Sequence, residues 1–343
     1  MASIRDIAKL AGVSPATVSR ILNNDPSFSI NKNTRARVIE IANRVHYSKK
    51  NAVRGPKSTG DGMSIGLILR HNAQTEENDP YFKNIHRGIE EEAAFWRLRT
   101  ETVFTMHDKN KDWDQLPKYG AIIIVGEMTP DAIERVKSLN PNLFLVDARP
   151  QLKNCSYIQN DFSNKTAEIL DYLYKNGHRN IAYIGGKSSI VDQTGKTIYL
   201  NNDVRAGSYE KWMKLHGLEK YINYILGDWT AESGLKSGEK LAQLDPLPTA
   251  VVVGSDPMAI GVYKAFANKG IKIPTDVSVV SFDDVDLNRY LTPTLSSVYM
   301  DSAEMGRTAV RLAKDAIIEK TTFALTVTCR SELRIRESVT KRN

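Results

Sequence analysis

Apolar residues near the start of the chain recur at helical spacing. They lie three or four positions apart and are Ile4, Ile7, Ala8 and Ala11. Gly12 predicts the end of this first helix, and the Ser14-Pro15 pair supplies the N-cap and the first-turn proline of a second one. Two short helices separated by a glycine-containing turn predict a helix-turn-helix.

The second and third predicted helices complete a small core. Val18, Ile21 and Leu22 mark the inward face of the second helix. The residues left on its outward face are Pro15, Ala16, Thr17, Ser19 and Arg20. A third helix is expected from about Asn31. Its inward residues would be Val38, Ile39, Ile41 and Ala42. We therefore predict a three-helix head over residues 1–47.

From Met63 onwards the spacing of the apolar residues changes, and apolar runs typical of strands alternate with helical patterns. The predicted strands are Ile65–Leu69, Thr102–Thr105, Ala121–Val125, Leu143–Val146, Ile181–Ile184, Ala250–Val253 and Val277–Ser281. The predicted helices include Tyr81–Trp96, Pro130–Leu139, Asn164–Asn176, Val204–His216, Thr230–Leu244 and Pro257–Lys269. This alternation predicts an α/β fold with doubly wound parallel sheets, and about 280 residues exceed one sheet, so we expect two lobes.

Charge separates the head from the body. Residues 1–57 carry 11 Lys and Arg against 3 Asp and Glu, a net of +8, whereas the remainder carries 36 against 37, a net of −1. A basic module attached to a neutral body indicates that one end of the chain contacts a polyanion, and double-stranded DNA is the leading candidate.

The head predicts specific DNA contacts. In a helix-turn-helix the start of the second helix meets base edges in the major groove, which suits the small Pro15 and Ala16 and the forked guanidinium of Arg20. Hydroxyl and amide side chains suit phosphates. The full set of candidate contacts is Ser14, Pro15, Ala16, Thr17, Ser19, Arg20, Asn23 and Thr34, with Val53 and Arg54 in the following segment.

Polar and aromatic residues follow the predicted strands of the body, where ligands bind in open α/β sheets. Aromatic rings there could stack on a sugar ring or a base, and Asp and Arg side chains could bind vicinal hydroxyls. The candidate ligand contacts are Tyr81, Phe82, Asp147, Arg205, Trp229, Ser255 and Asp283.

Other classes of function find little support in the sequence. Gly185-Gly-Lys-Ser188 lacks the leading glycine of a phosphate loop, and the histidines are not spaced for a metal, so we expect no enzyme, no cofactor and no metal site. The two cysteines are expected to be reduced thiols. The chain shows neither a signal peptide nor a membrane span, so we expect a cytoplasmic protein that does not contact membranes.

The head is identified as a member of a known family. The run from Ile4 to Asn23, IRDIAKLAGVSPATVSRILN, followed by Thr34-Arg35 and His46-Tyr47, closely resembles the DNA-binding head of LacI/GalR-family repressors. The body resembles the effector domain of the same family over residues 63–338, in segments such as His178–Gly186 and Ile273–Asp284. The resemblance implies a homodimer that binds a pseudo-palindromic operator, with residues 15, 16 and 20 contacting bases.

The resemblance also implies a periplasmic-binding-protein-like body of two lobes crossed by three strands. One lobe would hold residues 63–159 and 292–320, and the other 160–290 and 322–338. Arg205 and Asp283 match positions for the effector's polar groups, Trp229 matches an aromatic platform, and Tyr81 and Phe82 match residues at the lobe interface. Asp147 and Ser255 match further cleft positions.

The effector is expected to be a small sugar. The wording of Glu77–Phe82, Gly120–Gly126 and Asp203–Arg205 is most similar to the galactose-operon and evolved-β-galactosidase repressors, which implies galactose or a galactoside as the effector that releases the operator. Another sugar, a phosphosugar or a nucleobase is the alternative. A solute-binding protein and an architectural DNA binder are the remaining hypotheses.

The linker, residues 48–62, departs from the family pattern. Relatives have a hinge helix here whose leucine wedges into the minor groove and kinks the DNA. This sequence has Arg54-Gly55-Pro56 instead, so either Val53 replaces the wedge or the segment is an electrostatic tether. The basic residues of such a tether would be Lys49, Lys50, Arg54 and Lys57.

Overall fold

The computed structural model describes residues 4–22, 30–44, 63–72, 79–200, 203–321 and 323–342. The chain divides into two compact units, Met1–Pro56 and Lys57–Asn343. The linker lies outside the described residues, and so do Asn23, Val53 and Arg54.

The first unit contains helices α1 (Ile4–Ala11), α2 (Pro15–Leu22) and α3 (Lys32–Arg44). Gly12 adopts a left-handed φ of 63° between the first two helices, a conformation that glycine reaches without strain. The core of this unit is formed by Ile7, Ala8, Ala11, Val18, Ile21, Val38 and Ile41. The structure therefore shows the predicted helix-turn-helix with its third helix. One prediction was wrong: Ile39 is 42% exposed, because it lies one position away from the inward residue Val38.

The first sheet of the body holds six strands of the described chain, in the order β13-β5-β4-β3-β1-β2. Its bounds are β1 (Ser64–Leu69), β2 (Arg99–Thr105), β3 (Ala121–Val125), β4 (Leu143–Val146), β5 (Ser156–Asn160) and β13 (Thr326–Cys329). All of its strand pairs are parallel. Ile65, Leu67 and Leu69 pack on one face and Ile68 on the other, which is why these strands are apolar throughout.

The second sheet also holds six strands of the described chain, in the order β14-β12-β11-β10-β6-β9. Its bounds are β6 (Ile181–Gly186), β9 (Tyr224–Gly227), β10 (Ala250–Val253), β11 (Ser278–Asp283), β12 (Ser296–Met300) and β14 (Ser331–Arg334). Only the β12–β14 pair is antiparallel among these strands. Two sheets of this kind give the predicted α/β architecture with two lobes.

Helices cover both faces of each sheet. Those of the first lobe are α4 (Pro80–Trp96), α5 (Pro130–Leu139) and α10 (Ser302–Ile318). Those of the second lobe are α6 (Phe162–Lys175), α7 (Val204–Leu215), α8 (Ala231–Leu241) and α9 (Asp256–Asn268). Two hydrophobic clusters flank each sheet, so each lobe has its own core.

The chain passes between the lobes after β5, after β12 and between β13 and β14. Sheet membership differs from the expected lobe boundaries at two strands. Strand β12, expected in the first lobe, pairs with β11 in the second, and β13, expected in the second lobe, pairs with β5 in the first. The apolar pattern that marks a strand does not state its neighbour, so these two assignments depended on tertiary pairing.

A hairpin interrupts the second lobe after β6. Strands β7 (Ser189–Val191) and β8 (Thr197–Tyr199) form an antiparallel pair that belongs to neither large sheet. Among the described residues, no helix is long and apolar enough to cross a membrane.

Candidate DNA interface and ligand cleft

The start of α2 is built as a capped helix end. The Ser14 hydroxyl accepts a hydrogen bond from the backbone N–H of Thr17 at 3.1 Å, which satisfies one of the free donors at the helix N-terminus. Pro15, Ala16 and Arg20 are exposed on the surface of this helix. The cap thus holds small side chains and a guanidinium outward, as base contacts require.

The head holds three further predicted DNA contacts besides Ser14 and the exposed residues of α2. Thr17, Ser19 and Thr34 are partly buried on the surface of the head. The Thr17 hydroxyl lies 2.9 Å from the Ser14 hydroxyl, so the two are hydrogen bonded. Ser14 therefore acts mainly on the helix end, which it caps, and orients Thr17.

The carboxyl ends of the strands carry carboxylates on strained backbone. Asp147 directly follows β4 in the first lobe, with φ of 56°. Asp283 ends β11 in the second lobe, with φ of 101°, and Asp284 follows with φ of 52°. Residues other than glycine rarely adopt positive φ angles. Those that do are often found at binding sites, where the surrounding structure holds the strained conformation.

Tyr81 contacts both lobes. It lies in the first turn of α4, and its hydroxyl donates a 2.8 Å hydrogen bond to Oδ1 of Asp147. The same hydroxyl accepts from Nδ2 of Asn160, at the end of β5. The Tyr81 ring also packs near Phe162 of the second lobe, with centroids 6.4 Å apart. Tyr81 therefore lies on the cleft between the lobes.

Burial sets the protonation of the cleft carboxyl groups. It raises the pKa of Asp147 to about 6, against the lowering effect of the hydrogen bond from Tyr81. Burial, with the nearby Asp256 and Asp79 carboxylates, also raises the pKa of Asp283 well above its ordinary value. Carboxyl groups so destabilised as anions are suited to hydrogen bonding with neutral hydroxyls rather than to binding another anion.

Arg205 lies on the second-lobe side of the cleft. Its guanidinium binds Asp203 in a forked pair, with Nε–Oδ1 at 2.7 Å and Nη2–Oδ2 at 3.1 Å, and both side chains are about nine-tenths buried. The guanidinium carbon lies 4.1 Å from the centre of the Phe162 ring and 4.4 Å from that of Trp229. The planar cation is thus held between aromatic faces.

Trp229 is held in place by backbone. Its Nε1 donates to the carbonyl oxygen of Lys187 at 3.2 Å. A Cβ built on Gly186 would lie 2.2 Å from the indole ring, and one on Gly254 would lie 3.0 Å from it. Glycine at both positions therefore lets the indole lie flat against two strand ends, as a stacking platform needs.

Several polar atoms of the cleft are buried without a hydrogen-bond partner among the described residues. They are Nε of Arg70, Oδ1 of Asn160 and the hydroxyl of Ser255. Arg70 follows β1, Asn160 ends β5 and Ser255 precedes α9, so all three stand at carboxyl ends of strands. Buried groups of this kind are normally paired, so these three atoms are available for hydrogen bonds to a molecule in the cleft.

The structure brings most of the predicted ligand contacts together. Tyr81, Asp147, Arg205 and Asp283 influence one another electrostatically, and Trp229 stacks on Arg205. Phe82 differs, since it is 9% exposed and packs behind Tyr81, with ring centroids 5.3 Å apart. It supports the cleft from the first-lobe core.

Sequence reasoning missed several residues of the cleft. Asp203 pairs with Arg205, the rings of Phe162 and Phe282 lie close to its guanidinium, and Arg70 lies at the end of β1. Asp203 carried a detectable signal, since an Asp before an apolar helical run predicts an N-cap, and its side chain does accept from the Arg205 N–H. Asp284 instead forms ion pairs with Arg334 and Arg336, with nitrogen–oxygen distances of 2.7 and 2.6 Å.

A separate cavity of about 260 Å³ lies in the first lobe, beside Tyr119, Asn142 and Lys320. Tyr119 and Asn142 precede strands β3 and β4. The cavity is therefore at the opposite edge of the sheet from the cleft and contains none of the groups described above.

Both units of the chain match known protein families. Residues 3–50 match the family model of bacterial regulatory proteins, lacI family, and residues 170–339 match that of a periplasmic binding protein-like domain. A transcriptional regulator GalR of Streptococcus thermophilus is 31% identical over 93% of both chains. A regulator GalR of Lacticaseibacillus casei is 30% identical over 98% of this chain and 99% of its own. A crystal structure of the lac repressor dimer bound to operator superposes with a TM-score of 0.68 at 20% identity, covering 99% of each chain.

Proposed function

Because this chain belongs to the LacI family of bacterial transcriptional regulators, we propose that it represses a sugar-utilisation operon and leaves its operator when galactose or a galactoside binds. Members of this family bind DNA and small effectors and are not enzymes. What this particular chain recognises is inferred from the two sites described above.

The observation that carries the proposal is the composition of the cleft. It combines the Arg205–Asp203 fork, the Trp229 platform and buried polar atoms of Asn160 and Ser255 that have no hydrogen-bond partner within the described part of the chain. A pyranose offers an apolar ring face for stacking and vicinal hydroxyls that both donate and accept hydrogen bonds. The cleft therefore has the donors, acceptors and aromatic face that a neutral sugar needs.

The charge of the cleft favours a neutral sugar over a phosphosugar. Asp79, Asp147, Asp203 and Asp283 contribute carboxyl groups, and the guanidinium of Arg205 is already engaged by Asp203. A phosphate would be desolvated beside these carboxyl groups, and of the two cleft arginines described above only Arg70 has a buried guanidinium nitrogen left without a hydrogen-bond partner among the described residues. The GalR name of two relatives supports galactose as the sugar, since their sequences match this chain over almost its full length.

The head supplies operator binding. The exposed Pro15, Ala16 and Arg20 on α2 are the proposed base contacts, and the hydroxyls of Ser19 and Thr34 are proposed phosphate contacts. Two heads are needed to read a pseudo-palindromic operator, so we propose a homodimer. Effector would favour one arrangement of the lobes and so change the spacing of the heads.

Operator recognition is tested by selecting duplexes from a random pool with the full chain, then measuring affinity by fluorescence anisotropy. We expect a two-fold symmetric consensus. In Arg20→Ala the loss should be about 1–3 kcal/mol and confined to one base pair in each half-site. An equal loss on all duplexes would make Arg20 a phosphate contact, and no preference over random duplex would make the protein an architectural DNA binder.

The effector is tested by titrating galactose, lactose, galactose 6-phosphate and guanine against the operator complex. We expect galactose or lactose to lower operator affinity, and Arg205→Lys to remove this response while operator affinity without sugar is kept. Arg87→Lys is the control, because Arg87 forms an ion pair with Glu91 on α4 in which both side chains are more than half exposed. Release by the phosphosugar or by guanine alone would replace the galactoside by that effector class.

A further inference from the structure

The hairpin formed by residues 187–200 lies on the side of the cleft opposite to the chain crossings. All three crossings leave the sheets beside β13 and β14, which are edge strands. The hairpin follows β6, which is one strand away from the opposite edge, β9. The crossings close one side of the cleft, and the hairpin stands on its open side, which is called the mouth below.

The hairpin belongs to the second lobe by sequence but packs into the first. Val191, on β7, is 1% exposed and lies in the same hydrophobic cluster as Met106 and Met128 of the first lobe. The carbonyl oxygen of Val191 accepts from the backbone N–H of Thr129 at 3.0 Å. A short parallel bridge joins Val191 to Met128. Val191 is therefore the anchor of the hairpin on the first lobe.

The turn of the hairpin makes a second attachment. Gly195 has φ of 95°, and a Cβ built there would lie 2.5 Å from the carbonyl oxygen of Met106. Lys111 donates to the carbonyl oxygen of Thr194 at 3.3 Å, and Arg135 donates to Gln193 at 3.2 Å. The turn thus lies directly against the first lobe and needs glycine to do so.

The base of the hairpin contributes to the wall of the cleft. The carbonyl oxygen of Lys187 holds the Trp229 indole, and the hydroxyl of Ser189 is hydrogen bonded to Nη2 of Arg70. Nε of Arg70 has no hydrogen-bond partner in the part of the chain that the structure describes. The hairpin therefore joins the aromatic platform of the second lobe to the arginine of the first.

We propose that residues 187–200 form a strap across the mouth of the cleft, which restricts the effector to one that fits inside and admits it only when the strap leaves the first lobe. The proposal rests on the proposed function in one respect, namely that the effector binds in this cleft. An effector extending through the mouth would have to displace Val191 from the first-lobe core, so the strap selects against longer saccharides.

The strap is tested by thiol labelling, which needs no effector. Ser255→Cys places a thiol in the cleft, and its alkylation by iodoacetamide reports access; parent protein corrects for the buried Cys155 and Cys329. We expect labelling to be slow, and to accelerate at least about tenfold when Val191→Ser removes the apolar anchor. Gly195→Ala should also accelerate labelling by forcing the turn away from Met106. This second variant changes the turn of the hairpin and no residue of the hydrophobic core.

The matched control is Ile198→Ser, which makes the same kind of change on the paired strand, where the side chain is 39% exposed. We expect it to leave the labelling rate within about twofold of the parent, because little apolar contact is lost. Fast labelling without any strap substitution, or equal rates in Val191→Ser, Gly195→Ala and Ile198→Ser, would overturn the strap.

Galactose binding, followed by Trp fluorescence in a stopped-flow instrument, gives the second measurement. In Val191→Ser both the association and the dissociation rate should rise, with a smaller change in their ratio. Rates equal to those of the parent, in a variant whose thiol labelling has accelerated, would show that the strap does not limit access of the effector. Absence of a galactose signal in every variant would count against the proposed effector and leave the labelling result to decide the strap.

Discussion

Replacing Arg205 by methionine tests how the cleft is held together before any effector binds. Methionine replaces the aliphatic part of the arginine side chain but ends before the guanidinium and carries no charge, so the substitution removes the fork onto Asp203. Asp203 then remains buried, with 11% of its side chain exposed, and among the described residues it keeps the hydrogen bond from the helix N–H that it caps. An isolated buried carboxylate of this kind is strongly destabilising.

The expected loss follows from the burial of the pair. Removing one partner of a buried, hydrogen-bonded ion pair costs about 3–5 kcal/mol, because the other charge is left uncompensated. The stacking of the guanidinium on Phe162 and Trp229 is lost as well. For the Arg87–Glu91 pair, in which both side chains are more than half exposed, Arg87→Met should cost only about 0–1 kcal/mol, since solvent screens the pair and hydrates the remaining Glu91.

The measurement is urea unfolding of the unliganded full chain, followed by circular dichroism, for both single variants. Adding Asp203→Asn to Arg205→Met should recover most of the loss, because asparagine still caps α7 and no charge remains buried. Equal losses in the Arg205 and Arg87 variants, or no recovery in the double variant, would refute the view that burial of the Asp203 charge dominates the energetics of this site.

Two further predictions concern the carboxyl groups of the cleft and the turn of the head. Burial raises the pKa of Asp147 from 3.8 to about 6, so between these pH values the folded protein retains a proton that the unfolded chain has lost, and stability falls as the pH rises. Asp147→Asn should therefore be more stable than the parent in urea unfolding at pH 7.5 but not at pH 3.5. A difference in stability that does not depend on pH would contradict the raised pKa. Gly12 has φ of 63° and open space around its Cα, so Gly12→Ala should destabilise the head by about 1 kcal/mol through backbone strain alone. The loss would appear as faster amide hydrogen exchange of the head. Unchanged exchange would mean that the turn relaxes to another conformation.

The sequence by itself determined the local structure and the kind of protein. Helical spacing of Ile7, Ala11, Val18 and Ile21, the Ser14-Pro15 start and the glycine before it were enough for the head, because each acts within a few residues. The buried runs of β1, β3, β4 and β10 were equally readable, since strands covered on both faces need apolar side chains at every position.

Tertiary structure decided which distant residues meet. Strands β12 and β13 exchanged the lobes expected for them, because strand pairing depends on surfaces that lie far apart in the sequence. The same holds for the cleft: Tyr81 connects Asp147 with Asn160, and Arg70 lies near the Asp147 carboxyl group and is hydrogen bonded to Ser189 of the strap. A periodic pattern gives the face of a residue on its own element, whereas burial and charge pairing depend on what the fold places against that face.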